Sequence, residues 1–287
     1  MADSLWNSVF GLALRRMNCI SPQADCEQCT LRTRCDCFVL TRGTVAPKAD
    51  SASLAGKINS RPPPLIFHGP VRDFSLRIPA NATFSTNLVL VGKGNDRLAT
   101  VIHAMALAGD LGIGRNRSRF QLLRVMRSGP DLPNRQIAFD HDTPPPPASA
   151  YPPEVPELIQ IDLLTPWLLP STEKNFQPEG PETLVRDFLG KIVRRISLMQ
   201  HCHTGQPLET DFKALSRKIE KINLPRADLI GTAGYRHGRG TFMAVRGSFV
   251  LDMNNVSEIW PFLWTGQWLN VPKMAAKGFG RYEICAL

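Results

Sequence analysis

At 287 residues, with 43% hydrophobic and 21% charged residues, the chain is long enough for two folded domains and too apolar for wholesale disorder. Its 34 Lys and Arg residues outnumber its 25 Asp and Glu residues, and the formal net charge of +9 favours polyanionic partners, nucleic acid before an anionic membrane. No stretch approaches the roughly 18 consecutive apolar residues of a membrane span, and the opening Met1–Ser4 lacks the basic start of a signal peptide. We therefore expect a cytoplasmic protein without a membrane partner.

Helical and strand patterns alternate in the first half of the chain. Apolar residues recur at helical spacing over Leu5–Met17 and again over Leu98–Leu111. A short apolar run over Asn87–Gly92 predicts a buried strand, and Arg119–Met126 predicts another. The glycine turn Gly112–Arg117 separates the second helix from the last strand. Strand, helix, turn and strand are the βαβ half of an α/β sandwich.

A proline-rich segment separates the two halves. Residues 141–156 include Pro144–Pro147, and we expect an extended linker there because proline has a fixed φ and donates no amide hydrogen bond. The second half repeats the earlier alternation. Its predicted elements are a strand at Leu158–Leu164, helices at Glu182–Gln200 and Glu209–Ile222, a strand or hairpin at Thr241–Leu251, a helix at Val256–Trp268 and a last strand. We therefore predict two domains, residues 1–140 and residues 157–287.

The turn before that last strand is rich in glycine and in positive charge. Gly278 and Gly280 allow the backbone amides to approach a phosphate closely. Lys273, Lys277 and Arg281 surround these glycines with positive charge. A glycine turn ahead of a strand is more often only a turn, so the pattern has a structural interpretation as well as a functional one.

Four segments of the chain resemble one known family. Trp264–Lys273 running into Lys277–Tyr282 resembles the C-terminal signature of the RAMP-superfamily CRISPR-associated endoribonucleases that process precursor crRNA. The other similar segments are Leu14–Arg16 with the cysteines after it, Gly109–Gly114 with Phe120, and Leu163–Pro166. The resemblance implies an α+β fold of tandem ferredoxin-like (RRM-like) βαββαβ domains. The N-terminal domain is expected to be incomplete or divergent, because the first helix begins too early for the family's first strand.

The resemblance also implies an activity. Members of the family hold a crRNA repeat stem-loop and cleave it by attack of the RNA's own 2′-hydroxyl, which leaves a 2′,3′-cyclic phosphate. The reaction requires no metal or other cofactor, and we expect the enzyme to stay on its product with other CRISPR effector subunits, in an unusual subtype such as type IV. The alternatives are a catalytically inactive RNA-binding subunit of an effector complex and a zinc-containing DNA-binding protein.

The catalytic groups depart from the family pattern. Many members carry a histidine on the first helix, whereas Leu5–Met17 has none. We assign catalysis to Arg15 and Arg42, because guanidinium groups suit phosphate although they are poor bases. Tyr235 and His237, in a basic segment before a strand, are the remaining candidates. For His237 a surface or packing role is the alternative.

Further basic residues recur near predicted turns. Each alone is typical of a solvated surface, but together they match the phosphate and 2′-hydroxyl contacts that an A-form stem needs. The predicted RNA-binding residues are Arg16, Arg32, Arg34, Arg115, Arg117, Arg119, Arg194, Arg195, Arg236, Arg239, Lys273, Lys277, Gly278, Gly280 and Arg281.

Five cysteines cluster near the start of the chain. Cys26 and Cys29 have the spacing of half a zinc site, and Cys19 and Cys35 complete a set of four ligands. The other interpretation is that these thiols are buried as small hydrophobic side chains. A structural zinc ion is therefore one of two predicted roles for the cluster, and cleavage does not require it.

Overall fold

The computed structural model describes residues 2–21, 25–43, 62–69, 78–129, 132–137, 151–170, 180–205, 208, 210–237 and 240–287. The chain forms two compact units. Unit 1 comprises Met1–Ala150 with Leu198–Gln206, and unit 2 comprises Tyr151–Ser197 with Pro207–Leu287. Residues 141–150 of the predicted linker lie outside the described residues, so the predicted division of the chain stays a prediction. Among the helices that are described, none has the length and apolar character to cross a membrane.

Unit 1 combines helices with two antiparallel strand pairs. Its elements are α1 (Ala2–Asn18), α2 (Asp36–Arg42), β1 (Leu65–His68), β2 (Asn87–Leu90), α3 (Leu98–Leu111), β3 (Val125–Gly129) and β4 (Leu132–Ile137). Strand β1 pairs with β2, and β3 pairs with β4. The helices predicted from the 3.6-residue period are confirmed as α1 and α3. The strand predicted at Asn87 is confirmed as β2, but its residues are exposed or partly buried rather than buried.

The core of unit 1 lies between α1, α3 and β1. Phe10 of α1 is fully buried, and its ring centroid lies 5.3 Å from that of Phe67 in β1, in an edge-to-face arrangement. Trp6 packs in the same way against Phe120, with ring centroids 5.1 Å apart. The amide of Phe120 donates to the carbonyl of Gly109 in α3. The segment before Val125 is thus held against the helix, and the strand predicted over Arg119–Met126 begins only at Val125, as β3.

Unit 2 has the ferredoxin-like topology. Its elements are β5 (Leu158–Pro170), α4 (Pro181–Thr204), α5 (Phe212–Ile219), β6 (Asn223–His237), β7 (Gly240–Asp252), α6 (Trp260–Leu269) and β8 (Tyr282–Ala286). The sheet order is β6-β7-β5-β8, and every neighbouring pair is antiparallel. With the short helix α5 set aside, the elements follow βαββαβ and the first and third strands are central. The α+β, ferredoxin-like fold class is confirmed.

Strand β6 was missed in the sequence although it is the longest strand of unit 2. Its residues include Pro225 and Gly231, which predict a turn or loop rather than a strand. Proline is tolerated because β6 is the edge strand and the pairing register shifts between Asn223 and Arg226. Whether this segment could form a strand therefore depended on its edge position, which only the assembled sheet defines.

Helices α4 and α6 pack on one face of this sheet. The ring of Phe188 in α4 meets the rings of Trp167, Phe249 and Tyr282 edge to face, with centroids 5.2 to 5.5 Å apart. A Cβ at Gly266 in α6 would lie 2.2 Å from the hydroxyl oxygen of Tyr282, so only glycine allows this approach. The Tyr282 hydroxyl donates to the carbonyl of Leu263 at 2.6 Å. This packing holds the start of β8, and with it the glycine-rich turn, in place.

Candidate nucleic-acid interface

The segment Lys273–Arg281, which we call the glycine loop, joins α6 to β8 in unit 2. Asn270 ends α6 with φ +58° and is fully buried, and its Nδ2 donates to the carbonyl of Ala275 at 3.0 Å. The amide of Val271 donates to the carbonyl of Gly280 at 2.8 Å. A Cβ at Gly280, where φ is +70°, would lie 2.2 Å from the Val271 oxygen. The base of the loop is therefore closed in a way that requires glycine at 280.

Strand β5 holds the loop along one side. Trp167 Nε1 donates to the carbonyl of Pro272 at 2.8 Å, and the amide of Lys273 donates to the carbonyl of Leu168 at 3.2 Å. The amide of Gly280 donates to the carbonyl of Pro166 at 3.0 Å. Because both ends of the loop are bonded to the same strand, its conformation follows from the position of β5.

The amides of the glycine loop are used within the protein. Gly278 donates to the carbonyl of Ala275 at 3.0 Å, Gly280 donates to Pro166, and both glycines are buried. In this conformation neither amide is available to a phosphate. The predicted contact of Gly278 and Gly280 with RNA is therefore corrected: the glycines shape the loop. The side chains of Lys273 and Lys277 are exposed, and they carry its positive charge to the surface.

Tyr235, a predicted catalytic residue, meets the glycine loop. Its ring centroid lies 6.0 Å from that of Phe279, edge to face, and its own side chain is partly exposed. Across the sheet Tyr235 pairs with Phe242, and Lys273 Nζ lies 5.8 Å from the centroid of the Phe242 ring, within the range of a cation–π contact. The end of the β6–β7 hairpin, with Tyr235 and Phe242, thus meets the glycine loop through Phe279 and Lys273.

The residues after Tyr235 extend the hairpin. Arg236 is exposed and pairs with Thr241, and the backbone of His237 pairs with Gly240. The side chain of His237 and the whole of Arg239 lie outside the described residues. The catalytic role of His237 and the RNA contact of Arg239 stay predictions.

Two neighbouring arginines on α4 have opposite environments. Arg194 is exposed, whereas Arg195 is buried and its Nε donates to the carbonyl of Leu269 at 2.5 Å. Burial lowers the pKa of Arg195 to about 10, because desolvation penalises the charged guanidinium. The expectation that Arg195 contacts RNA is therefore corrected: this side chain is part of the interior of unit 2.

A second basic turn lies in unit 1, after α3. Ile113 and Ser118 pair with each other through both backbone groups at 2.9 and 3.0 Å. Gly112 has φ +77°, and a Cβ there would lie 2.2 Å from the carbonyl oxygen of Arg117. The turn exposes three of the predicted RNA-binding residues, namely Arg115, Arg117 and Arg119. We call the segment Gly112–Arg119 the arginine turn.

The other predicted arginines of unit 1 surround α1 and α2. Arg16 and Arg34 are exposed, whereas Arg32 is partly exposed and its Nη1 donates to the carbonyl of Glu27. Arg42 Nη1 lies 3.0 Å from Glu27 Oε1, and both side chains are 55% exposed. An ion pair this exposed is weak, so Arg42 can exchange Glu27 for a phosphate at little cost. Arg15, the other predicted catalytic residue of this unit, is partly buried.

The early cysteines gather around Cys37, which was not among the predicted ligands. Cys37 is buried, and its pKa is raised to about 11, first by burial and then by the nearby thiols of Cys35, Cys26 and Cys19. The guanidinium of Arg15 acts in the opposite direction. Cys37 therefore belongs to the cluster as a protonated thiol of the core.

The thiols do not form a closed metal site. Zinc bonds to sulfur at about 2.3 Å and holds four ligands close together. Within the described part of the chain, the group of three ligand atoms within 4.8 Å of one another is Asp162, Glu283 and Cys285 on strands β5 and β8, and no three of the predicted zinc ligands, Cys29 included, form such a group. The donor set as it stands does not fit zinc, and the zinc site stays a prediction.

Comparisons with known proteins found one matching family model and several similar solved structures. Residues 1–147 match the family model described as AF_1859_N, N-terminal domain. No curated protein sequence matches the chain. The chain is similar to the solved structure "Cas6 (TTHB231) product complex", with 17% identity and a TM-score of 0.54 over 99% of this chain and 93% of that one. It is also similar to Thermus thermophilus Cas6 (TTHB231), with 17% identity and a TM-score of 0.36 over 47% of this chain and 55% of that one. The first of these matches shows a Cas6-like fold.

Proposed function

We propose that this chain, which belongs to the AF_1859_N N-terminal domain family, binds a hairpin RNA and cleaves it once, as the endoribonuclease that releases guide RNAs from a CRISPR precursor transcript. The observation that carries the proposal is the glycine loop. In a chain with a Cas6-like fold, this loop exposes Lys273 and Lys277, and its buried Phe279 packs against the partly exposed ring of Tyr235. Ammonium groups beside a proton donor are what cleavage of a phosphodiester requires.

In the proposed reaction the RNA supplies its own nucleophile. The 2′-oxygen of the nucleotide before the cut bonds to the phosphorus while the bond to the 5′-oxygen of the next nucleotide breaks. A base takes the proton of the 2′-hydroxyl, and an acid returns a proton to the leaving 5′-oxygen, so the products are a 2′,3′-cyclic phosphate and a 5′-hydroxyl. No metal takes part in any step.

We assign the roles as follows. Lys273 and Lys277 stabilise the charge that develops on the pentavalent phosphate. Tyr235 donates to the leaving oxygen, and His237 takes the 2′-proton. The electrostatic role of Arg15 and Arg42, which lie in unit 1, stays a prediction from the sequence, made because a guanidinium stays protonated and binds phosphate with two donors.

The exposed arginines hold the stem. The arginine turn presents three guanidinium groups on one short segment, and Arg16, Arg34, Arg194 and Arg236 are also exposed. Contacts of this kind go to phosphates and 2′-hydroxyls and read the shape of an A-form stem more than its sequence. We take the partner to be a repeat stem-loop of crRNA, and we propose that the chain stays on its product with other CRISPR effector subunits, in an unusual subtype such as type IV.

The test is cleavage of a pool of synthetic RNA hairpins with randomised single-stranded flanks, in excess EDTA. We expect a cut at the base of the stem and cyclic phosphate ends on the products. The same hairpin with a 2′-deoxynucleotide before the cut serves as control, and it is expected to bind and not to be cleaved. Cleavage of that control, or cleavage that stops in EDTA, would contradict the proposed chemistry.

A second candidate is an RNA-binding subunit without catalytic activity. It is favoured by one observation: helix α1 contains no histidine. In the same experiment this candidate predicts tight hairpin binding with no product. The two functions differ in product alone, because both require the exposed basic surface.

A further inference from the structure

Thr165 occupies an irregular position in strand β5. The pairing of β5 with β7 shifts register between Leu163 and Trp167, which marks a β-bulge. At the bulge the amides of Leu164 and Thr165 both donate to the carbonyl of Arg281, at 2.9 and 3.2 Å. A bulge re-aims the side chain at its centre, and here it turns Thr165 toward the glycine loop.

The hydroxyl of Thr165 bonds to both ends of one turn of that loop. Oγ1 donates to the carbonyl of Gly278 at 2.8 Å and accepts from the amide of Arg281 at 2.9 Å. The residue is 6% exposed, so these bonds lie away from water. The loss of either bond would leave a buried polar group unpaired, which is costly. A single side chain thereby fixes the span from Gly278 to Arg281.

That span contains the contact on which the candidate site depends. Phe279, between the two residues that Thr165 holds, is fully buried and packs edge to face against Tyr235. Lys277, which precedes the span, is exposed. A shift of the turn would move an ammonium group and a phenol relative to each other.

We infer that Thr165 is a positioning residue for RNA cleavage, which acts by holding the glycine loop in the conformation that aligns Lys277 and Tyr235. It touches no substrate and carries no proton in the reaction. The inference rests on the proposed function. It adds to the candidate site a residue that lies on β5 and not in the glycine loop itself. Serine preserves this role, because its hydroxyl also donates and accepts, whereas valine has nearly the same shape and can do neither.

The experiment compares Thr165→Val with Thr165→Ser in single-turnover cleavage of a hairpin that the wild-type chain cuts. We expect Thr165→Val to lower the cleavage rate about tenfold or more, because small displacements of catalytic groups are costly, while hairpin affinity changes by less than about threefold. Thr165→Ser is expected to stay within about threefold of the wild-type rate.

Ser197→Ala is the matched control for the loss of a buried hydroxyl group away from the glycine loop. Ser197 is also a buried residue of unit 2 with a hydroxyl group. Its hydroxyl donates to the carbonyl of Val193 at 2.8 Å, within α4, and not to the glycine loop. We expect no loss of cleavage rate and at most a small change in Tm, because alanine favours the helix and the lost bond is local to it. Wild-type cleavage by Thr165→Val, or an equal loss in Thr165→Ser or Ser197→Ala, overturns the inference.

A second readout separates this inference from the proposed function. Trypsin cuts after exposed lysine, and the rate of cutting after Lys277 reports how often the loop opens. We expect cutting there to rise about fivefold or more in Thr165→Val and to stay at the wild-type rate in the other two variants. If the wild-type chain cleaves no RNA, the proposed function fails, and equal trypsin rates in all variants would then also remove the positioning role.

Discussion

At the scale of single residues, position in the fold separates basic side chains that look alike in the sequence. Arg194 and Arg195 are adjacent on α4, yet one is exposed and the other is buried against the end of α6. Lys273 and Lys277 are exposed on a loop whose glycines are buried. Basic residues chosen from the sequence are therefore exposed at Arg194, Lys273 and Lys277, but buried at Arg195.

The same substitution at the two arginines is expected to have different effects. Arg195→Ala should lower the free energy of unfolding by about 2–4 kcal/mol, since it leaves a cavity and an unpaired carbonyl, with unchanged hairpin affinity per folded molecule. Arg194→Ala should weaken hairpin binding with Tm unchanged. Denaturant unfolding and filter binding on both variants measure these effects, and weaker binding by folded Arg195→Ala would restore its predicted RNA contact.

Lys277→Ala is expected to weaken hairpin binding roughly three- to tenfold and to reduce the slope of log affinity against log salt by about one. The reason is that an exposed ammonium group neutralises one phosphate. Lys221→Ala is the matched control: Lys221 is also exposed in unit 2, but it precedes β6 at the end opposite Tyr235, roughly 40 Å along the strand. An equal effect of both substitutions would mean that only net charge matters.

At the scale of elements, caps and close approaches decide where helices end. Asn270 and Gly280 close the turn after α6, and Gly266 allows α6 to approach β8. Asp211 caps the N-terminus of α5, and its carboxylate accepts from the amides of Lys213 and Ala214 at 3.0 Å each. These backbone bonds hold the pKa of Asp211 below its ordinary value, and the positive charges of Arg217 and Lys213 lower it further by smaller amounts.

The cap of α5 predicts a pH dependence. A carboxylate whose pKa is lower in the folded state stabilises the protein above its unfolded pKa, and this stabilisation is lost as pH falls through the folded pKa. We expect Asp211→Ala to lower Tm at neutral pH. Asp211→Asn should keep the cap and lose part of the acid sensitivity below about pH 4. Thermal unfolding between acidic and neutral pH checks both variants, and identical pH profiles for wild type and Asp211→Asn would contradict the assignment.

At the scale of the whole molecule, positive charge is distributed over both units. The net charge is +9, with the arginine turn in unit 1 and the glycine loop in unit 2. The face of the unit 2 sheet opposite α4 and α6 instead carries negative charge, because Asp162 and Glu283 lie side by side there on β5 and β8. Carboxylates on that face oppose the base-stacking mode in which an RRM sheet binds RNA, so we assign binding to the loops and not to the sheet.

Hairpin affinity should therefore depend steeply on salt. If about five phosphates are neutralised, affinity should fall about five-hundredfold between roughly 50 and 200 mM salt. A DNA hairpin of the same sequence is expected to bind more weakly, because it lacks the 2′-hydroxyls that an A-form stem offers. Titrations at several salt concentrations with both hairpins test this, and equal affinity for the DNA hairpin would favour a DNA-binding protein.

The sequence by itself determined the local elements and the chemical character of the site. Helices α1, α3 and α4 and strands β5 and β7 follow from periodicity, because a repeat of 3.6 or 2 residues depends only on neighbours along the chain. The basic glycine turn and the resemblance to a CRISPR endoribonuclease family also required only the sequence. The match to a Cas6-like fold agrees with the fold class predicted from them.

The tertiary structure alone decided which residues meet and which are buried. Tyr235 and Lys273 come together because β6 pairs with β7 and the glycine loop returns to the same end of the sheet. Strand β6 was hidden by its proline and glycines until its edge position was known, and the burial of Arg195 depended on where α6 packs. Pairing between distant segments and burial are properties of the assembled sheet and helices, and no local pattern encodes them.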